Sequence, residues 1–357
     1  MPDTNETEPS PNAELGGTGA IVVDDAQRGV NTALVNNQRM IQQAKSRFIV
    51  SRSQAPDGGS GVASRNSVPF DIGGTFDVRN TTLSSRGSFF GQSGDYAGTQ
   101  RRLFFGDFDI QHDAETDSTT ATLTGRVAWE QNVSEQTMLG YFVGGEFARS
   151  NIGGAFDGDQ NRLGVTAGGY VVHELMDQIY LDGFATLGAG RNDLDLTSDT
   201  QTLEGDYTTR TATIGAAVSG VYAYETYELR PELAFSYGKT WIGDIGLNNI
   251  VGGVVDNVVS LDAGDVTIAN LTLRPEFIWA LDGGAVAQSA AQVSFAPRLV
   301  CEEVRTSVTS SDCGGGAEVG YTRQSEDGLS NTEFRVVMDR VGNSTRSSLA
   351  LNFKRKF

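Results

Sequence analysis

Few side chains in this sequence are equipped for covalent chemistry. There are two histidines, His112 and His173, and two cysteines, Cys301 and Cys313. A serine hydrolase would have to draw its general base from one of those two histidines. His112 beside Asp113 has the makings of such a pair, but it ends an alternating stretch, where a rim residue is the simpler reading; His173 ends another. The cysteines flank a segment containing Ser, Asp and Gly. No histidine lies near and two thiols do not complete a tetrahedral site, so a disulfide closing that segment is expected, with no metal and no cofactor. NDLDLTSDTQTLEGD could attract divalent cations, although solvated loop charge explains it. One oddity remains. In LVNNQRMIQQAKSRF, residues 34–48, two poor helix formers, Asn36 and Asn37, stand together inside a helix-like stretch.

The elements that position these residues follow from composition and period. The chain has 357 residues, 44 glycines and a net charge of −18, a balance that argues against nucleic acid as a partner. No run approaches the roughly 18 apolar residues of a transmembrane helix, and MPDTNETEPSPNAELGG lacks the basic and apolar regions of a signal peptide. That criterion is blind to β-barrels, whose strands cross with about 9 to 11 alternating residues.

From residue 101 onward, alternation is pervasive. In TYELRPELAFSYGKTW, residues 226–241, Tyr227, Leu229, Leu233, Phe235 and Tyr237 share one parity, and Glu228, Arg230, Glu232, Ser236 and Thr240 the other. In residues 264–281 the same split sets Leu271, Leu273, Phe277 and Trp279 against Asn270, Thr272, Arg274 and Glu276. The period predicts strands near 101–112, 119–130, 136–149, 160–173, 178–193, 207–222, 226–241, 264–281, 287–303, 316–323, 331–340 and 347–357. Short connections, QNVSE, ELMD and AYE, alternate with longer ones: NIGGAFDGD, the acid-rich stretch from Leu194 to Asp206, and the segment from Ile242 to Ala263. This is the asymmetry of an outer-membrane barrel with periplasmic turns and outer loops. Trp129, Tyr141, Tyr222, Tyr227, Trp279 and Phe357 then fall near the short-turn rim on the apolar parity, as an aromatic girdle should. The cysteines fall at the fifth inferred outer loop. A soluble sandwich also alternates, but rarely over some 250 residues with apolar faces this wide.

The last strand, SSLALNFKRKF, places Leu349, Leu351, Phe353 and Phe357 on one parity. A terminal aromatic on such a strand resembles the signal that hands outer-membrane barrels to the barrel-assembly machinery; Arg355 departs from that pattern. The run from Trp129 to Asp195 has a glycine-and-aromatic strand, an Asp/Gly-rich loop, a GGY strand and YLDGFATLGAGRND. It resembles the autotransporter β-domain, the translocator of type V secretion, over about residues 101–357. The resemblance implies an all-β fold: a twelve-stranded antiparallel transmembrane barrel with an N-terminal α-helix inside the lumen.

Residues 26–52 suit that helix. Val30, Leu34, Asn37, Ile41, Ala44 and Phe48 recur at helical spacing, with no glycine or proline from Val30 to Val50. About 21 residues span roughly 30 Å, the thickness of a bilayer core. Between Ala26 and Arg52 lie Arg28, Arg39, Lys45, Arg47 and Arg52 and no acid. By parity the lumen carries Glu130, Glu146, Asp182, Glu228, Glu232, Glu276, Glu333 and Asp339, with Arg126, Arg230, Arg274, Arg298 and Arg335 among them. Residues 1–25 are expected without order, as a passenger remnant or linker, and residues 53–100 as a linker or small hairpin at the barrel end.

VNNQRM resembles the VNN-centred stretch in the pore helix of the self-cleaving serine-protease autotransporters of enteric bacteria. That resemblance implies Asn36 as nucleophile and Asn36–Asn37 as the scissile bond, with a lumen carboxylate or an oriented water to polarise the amide; Glu146, Glu228 and Glu276 are candidates by parity. The alternative is that both asparagines simply hydrogen-bond in a wet pore. The expected function is translocation of an N-terminal passenger from an outer-membrane anchor. A channel or structural barrel plugged by its N-terminal segment is the other reading. Expected partners are outer-membrane lipid, the assembly machinery and the chain's own passenger, in a monomer.

Overall fold

The computed structural model describes residues 11–53, 69–93, 100–154, 156–199, 201–286 and 289–356. One helix, α1 (Pro11–Ser53), precedes a single antiparallel sheet. Its first strands are β1 (Pro69–Arg79), β2 (Thr82–Ser93), β3 (Gln100–Asp113), β4 (Ser118–Ser134), β5 (Thr137–Ile152), β6 (Asp157–Met176), β7 (Ile179–Thr197) and β8 (Thr202–Gly220). They are followed by β9 (Tyr222–Ala223), β10 (Glu228–Ile242), β11 (Ile245–Val251), β12 (Val254–Leu261), β13 (Asp265–Ala280), β14 (Ala291–Arg305), β15 (Thr309–Gln324), β16 (Ser330–Val341) and β17 (Ser344–Lys356). Each long strand pairs with the next, and β1 pairs with β17 from Pro69 opposite Lys356 to Arg79 opposite Arg346, which closes the barrel.

The wall has fourteen strands, because β9, β11 and β12 only extend it. The count of twelve is therefore corrected by one hairpin. The twelve alternating stretches correspond to β3–β8, β10 and β13–β17, and β1–β2 adds two more, as a hairpin within the wall, from the segment read as a linker or small hairpin at the barrel end. The β2 sequence conceals its period because its outward face carries Gly87 and Gly91 beside Leu83 and Phe89. Its apolar cover comes from the neighbouring strand: a Cβ on Gly87 would run into the ring of Phe108, and one on Gly106 of β3 into the ring of Phe89.

Outward positions form an apolar belt in which Phe76, Leu123, Leu163, Val165, Leu187 and Leu233 are exposed. At the short-turn rim, Trp129 stacks on Tyr141 at 5.3 Å and Phe277 on Trp279 at 6.2 Å. Phe353 lies opposite Ile72 of β1; Phe357, the other half of the terminal signal, lies outside the described residues. In the turn after β13, a hydrogen bond from Ser289, with backbone N–H groups of Gly284 and Ala290, holds the Asp282 carboxyl below the usual carboxylate range.

At the opposite end the strands run on past the lengths read from sequence. The acid-rich stretch is not a loop but the ends of β7 and β8, with Leu194, Leu196 and Leu203 buried inward and Asp193 and Asp206 exposed outward. The segment after Ile242 is the β11–β12 hairpin, whose β11 pairs with the end of β8 and buries Ile245 and Leu247. Cys301 and Cys313 form the disulfide, but as directly opposed residues of β14 and β15, so they staple two paired strands rather than a free loop.

The helix begins at Pro11, so residues 11–25, expected without order, belong to it. Its 43 residues would measure roughly 65 Å. The extra turns are held because the extended strands surround them with apolar surface: Val22, Ala26 and Val30 are buried in one cluster with Ile152, Phe156, Leu194, Leu196 and Leu247. The helix therefore starts among the long loops, where Gly17 adjoins Phe156 and Gly19 adjoins Leu261. It ends at the short-turn rim, where Phe48 meets Tyr180 edge to face at 6.4 Å.

Candidate functional site

The lumen and the helix inside it form the candidate site. One stripe of α1, comprising Val30, Leu34, Asn37, Ile41, Ala44 and Phe48, is at most 4% exposed and packs toward β6, β7, β8, β10 and β13. Close approach depends on Gly238 of β10: an added Cβ would sit 2.5 Å from Val30 Cγ2 and 3.2 Å from Leu34 Cδ1.

Polar side chains fix the helix along its length. Near the loop end, Asp25 accepts from Arg162 Nη1 at 2.9 Å, Gln160 Nε2 at 3.0 Å and Ser150 Oγ at 3.3 Å. About two turns on, Thr32 donates to buried Asp109 at 3.0 Å, which also accepts from Arg86 Nε at 3.1 Å. At mid-length, Asn37 Oδ1 accepts from Arg126 Nη1 at 3.0 Å, while Asn37 Nδ2 donates to Thr213 at 2.9 Å and Thr186 at 3.3 Å. Toward the short-turn rim, Lys45 Nζ bridges Asp182 at 3.0 Å and Glu232 at 2.9 Å. Arg47 donates to both oxygens of Glu130, which Tyr170 Oη also reaches at 2.8 Å, and its guanidinium lies 4.8 Å from the centre of the Phe90 ring. Hydrogen bonds that involve charge contribute about 1.5–3 kcal/mol each, so a helix held by several has one preferred register.

The residues read as lumenal do not act as one cluster. Of the residues read as lumenal, Glu130, Asp182, Glu232 and Arg126 hold the helix; Glu146 instead receives Arg162 Nε at 2.9 Å and lines a cavity with Asn37. Arg230 pairs with Glu228, and Arg274 reaches Glu276 at 3.4 Å and Glu318 at 2.7 Å, across the lumen from α1. Asn36 and Asn37 diverge. Asn37 is saturated on the β7–β8 side, whereas Asn36, 6% exposed, borders a cavity of about 10 Å³ together with Asp107, Arg126, Ser88 and Phe105. Asp107 is the acid that lines this cavity with Asn36. Glu228 and Glu276, candidates by parity, belong to the wide end of the lumen near the rim.

Asp25, Asp107, Asp109, Arg162 and Glu318 were not selected from sequence. Asp25 fell one residue outside the inferred helix. Asp107 and Asp109 were readable, since they share the parity of Phe105 on β3, whose inward face buries Leu103 and Phe105 beside them.

A family model described as autotransporter beta-domain matches residues 130–329. No curated protein matches the sequence. Among solved structures, the translocator domain of autotransporter NalP from Neisseria meningitidis aligns at 12% identity over 92% of this chain and 98% of that one, with TM-score 0.48. The beta domain of the Bordetella autotransporter BrkA aligns at 14% identity over 81% and 98%, with TM-score 0.46. CymD, a monoaromatic hydrocarbon channel, aligns at 9% identity over 82% and 88%, with TM-score 0.53; at that identity the likeness is one of fold.

Proposed function

Because the chain belongs to the autotransporter β-domain family, we propose that it is an outer-membrane translocator, through whose lumen a segment attached ahead of α1 reaches the cell surface. The observation that carries this is the direction of the helix: it enters at the loop end beside Phe156 and Leu261 and leaves at the rim where β1 begins. A chain attached ahead of Pro11 would then emerge among the long loops. The apolar belt faces lipid hydrocarbon, and the aromatic rim marks the periplasmic interface. The ionic walls around Arg274, Arg298 and Glu318 suit a hydrated polypeptide rather than an apolar solute. To test export, an epitope replaces residues 1–10 behind a secretion signal in a Gram-negative host. Whole cells should bind the antibody and lose the epitope to added protease. An epitope reachable only after the outer membrane is opened, with the barrel folded, excludes export.

A second reading concerns the Asn36–Asn37 bond, and the cavity shared by Asn36 and Asp107 favours it. The side-chain nitrogen of Asn36 attacks its own backbone carbonyl carbon, a succinimide closes, and the bond to the Asn37 nitrogen breaks. Asp107 takes a proton from the amide and returns it to the departing amine. The intact helix at this point opposes the geometry, so the step is slow and confined to the folded state. Mass spectrometry of the refolded chain should find it shortened at Asn37, with the Asn36→Asp and Asp107→Asn chains whole. An uncut parent after prolonged folding removes this reading and leaves translocation untouched.

A further inference from the structure

Arg355 departs from the pattern of a terminal strand, and its surroundings give a reason. Around the β1–β17 seam, outward positions near the short-turn rim carry three exposed arginines: Arg323 on β15, Arg355 on β17 and Arg102 on β3. Exposed Tyr321, Leu351 and Phe104 share their parities and fix that direction. Arg102 lies opposite Trp129, in the aromatic row. The acids of the same strands, Asp71, Asp107, Glu318 and Glu333, turn inward and are ion-paired there. In the turn beyond Arg323, Asp327 Oδ1 is engaged by Ser325 Oγ and the Leu329 N–H. At the opposite rim the outward face is mixed, with Asp159, Asp193 and Asp206 beside Arg149 and Arg191. In a chain of 45 acids and 27 bases, an outward sector that shows arginine and, among the described residues, no acid reverses the local charge.

Two of these arginines straddle one strand. Arg323 pairs with Thr332 of β16, which pairs with Phe353 of β17; one rung nearer the rim, Ser330 pairs with Arg355. Strands about 4.8 Å apart, with a rise of about 3.4 Å per residue, set the two arginine Cα atoms about 12 Å apart, a gap that two extended side chains close from both sides. Thr332 and Ser330 share the outward parity of exposed Phe334 and put two hydroxyls between them. Phe70 faces Arg355 across the seam. We propose that Arg323, Arg355, Thr332 and Ser330 form a lipid-facing site for the phosphodiester headgroup of an anionic phospholipid in the periplasmic leaflet. Guanidinium groups bind phosphate oxygens in pairs, and the hydroxyls supply further donors. The arginine stems lie along the apolar belt while the charged ends reach the interface, and Phe70 and Tyr321 border the acyl chains. An anionic headgroup is favoured over a zwitterionic one, whose ammonium meets the same two guanidiniums. The site rests on the reading that the barrel spans a membrane with its short turns in the periplasm, and needs nothing to be exported or cleaved.

The test is the headgroup preference of the full-length chain in detergent, its folding verified by gel mobility. Phosphatidylglycerol and phosphatidylcholine with the same acyl chains are added in equal amounts, and bound lipid is counted by native mass spectrometry. The parent should retain phosphatidylglycerol several-fold over phosphatidylcholine. Arg323→Gln with Arg355→Gln should bring that ratio close to one. Arg210, an exposed arginine opposite Trp241 toward the other rim, is the control, and Arg210→Gln should keep the parental ratio. Arg323→Lys with Arg355→Lys should fall between, because lysine keeps the charge and loses the fork. A double glutamine variant that keeps the parental preference overturns the site, and so does an equal loss in Arg210→Gln, which assigns the preference to overall charge. Displacement of the bound lipid by millimolar inorganic phosphate makes it a site for free phosphate and overturns the lipid assignment. A parent that binds both lipids equally overturns the site and leaves the barrel reading standing. A parent that binds neither, and stays outside phosphatidylcholine vesicles, overturns the site and the membrane-spanning reading together.

Discussion

Glu130, 1% exposed, is the residue on which the rim end of the helix turns. Its carboxylate is shared by Arg47 and Tyr170, and Arg47 has its guanidinium against two aromatic rings. Removing one member of a buried ion pair leaves the other charge unpaired, which costs more than removing both. Glu130→Leu should therefore lower barrel stability by about 3 kcal/mol, and Glu130→Leu with Arg47→Met should restore most of it. Urea midpoints from heat-modifiable gel mobility measure both; equal losses in the single and double variants would show that the pair is not coupled. At this scale parity told which side chains enter the lumen, Glu130 among them. It could not tell whom they meet, because Arg47 is 83 positions away. The same distance problem hid the partners of Asn37, which come from β4, β7 and β8.

The helix stripe is an element property, and it was legible because packing against one wall imposes a 3.6-residue period on the buried positions. The helix start was not, since Gly16, Gly17 and Gly19 weaken the local propensity and the apolar collar that holds those turns is built from strand ends that read as acidic loop. The wall strands were legible where their outward residues are large, and β2 escaped because Gly87 and Gly91 interrupt its outward face, Gly87 being covered by the ring of Phe108 from the neighbouring strand. Seating of the whole element rests on Gly238. A phenylalanine there would occupy the space of Val30 and Leu34 and should lift α1 from β10 without opening the wall. In folded Gly238→Phe, trypsin should cut after Arg28 and Arg39, sites protected in the parent, as read by peptide mass; unchanged protection would place the helix's hold elsewhere.

For the whole molecule, closed antiparallel topology and the ranking of its two rims followed from period and connection length. The circumference did not: fourteen strands rather than twelve is a difference of one hairpin, β1–β2, which lines part of the space beside α1. Closure also has a consequence in time. The seam joins β1 to β17, residues more than 260 positions apart in the chain, and contacts at such separation form late because the intervening loop must first be brought together. Until β17 arrives, β1 and β16 each present an unpaired edge, the surface most prone to pair with another chain. The ring thus has no stable partial form. The polypeptide has to be kept apart from its copies until its last thirteen-residue strand is available, and the final strand acts as the clasp that decides when folding can finish.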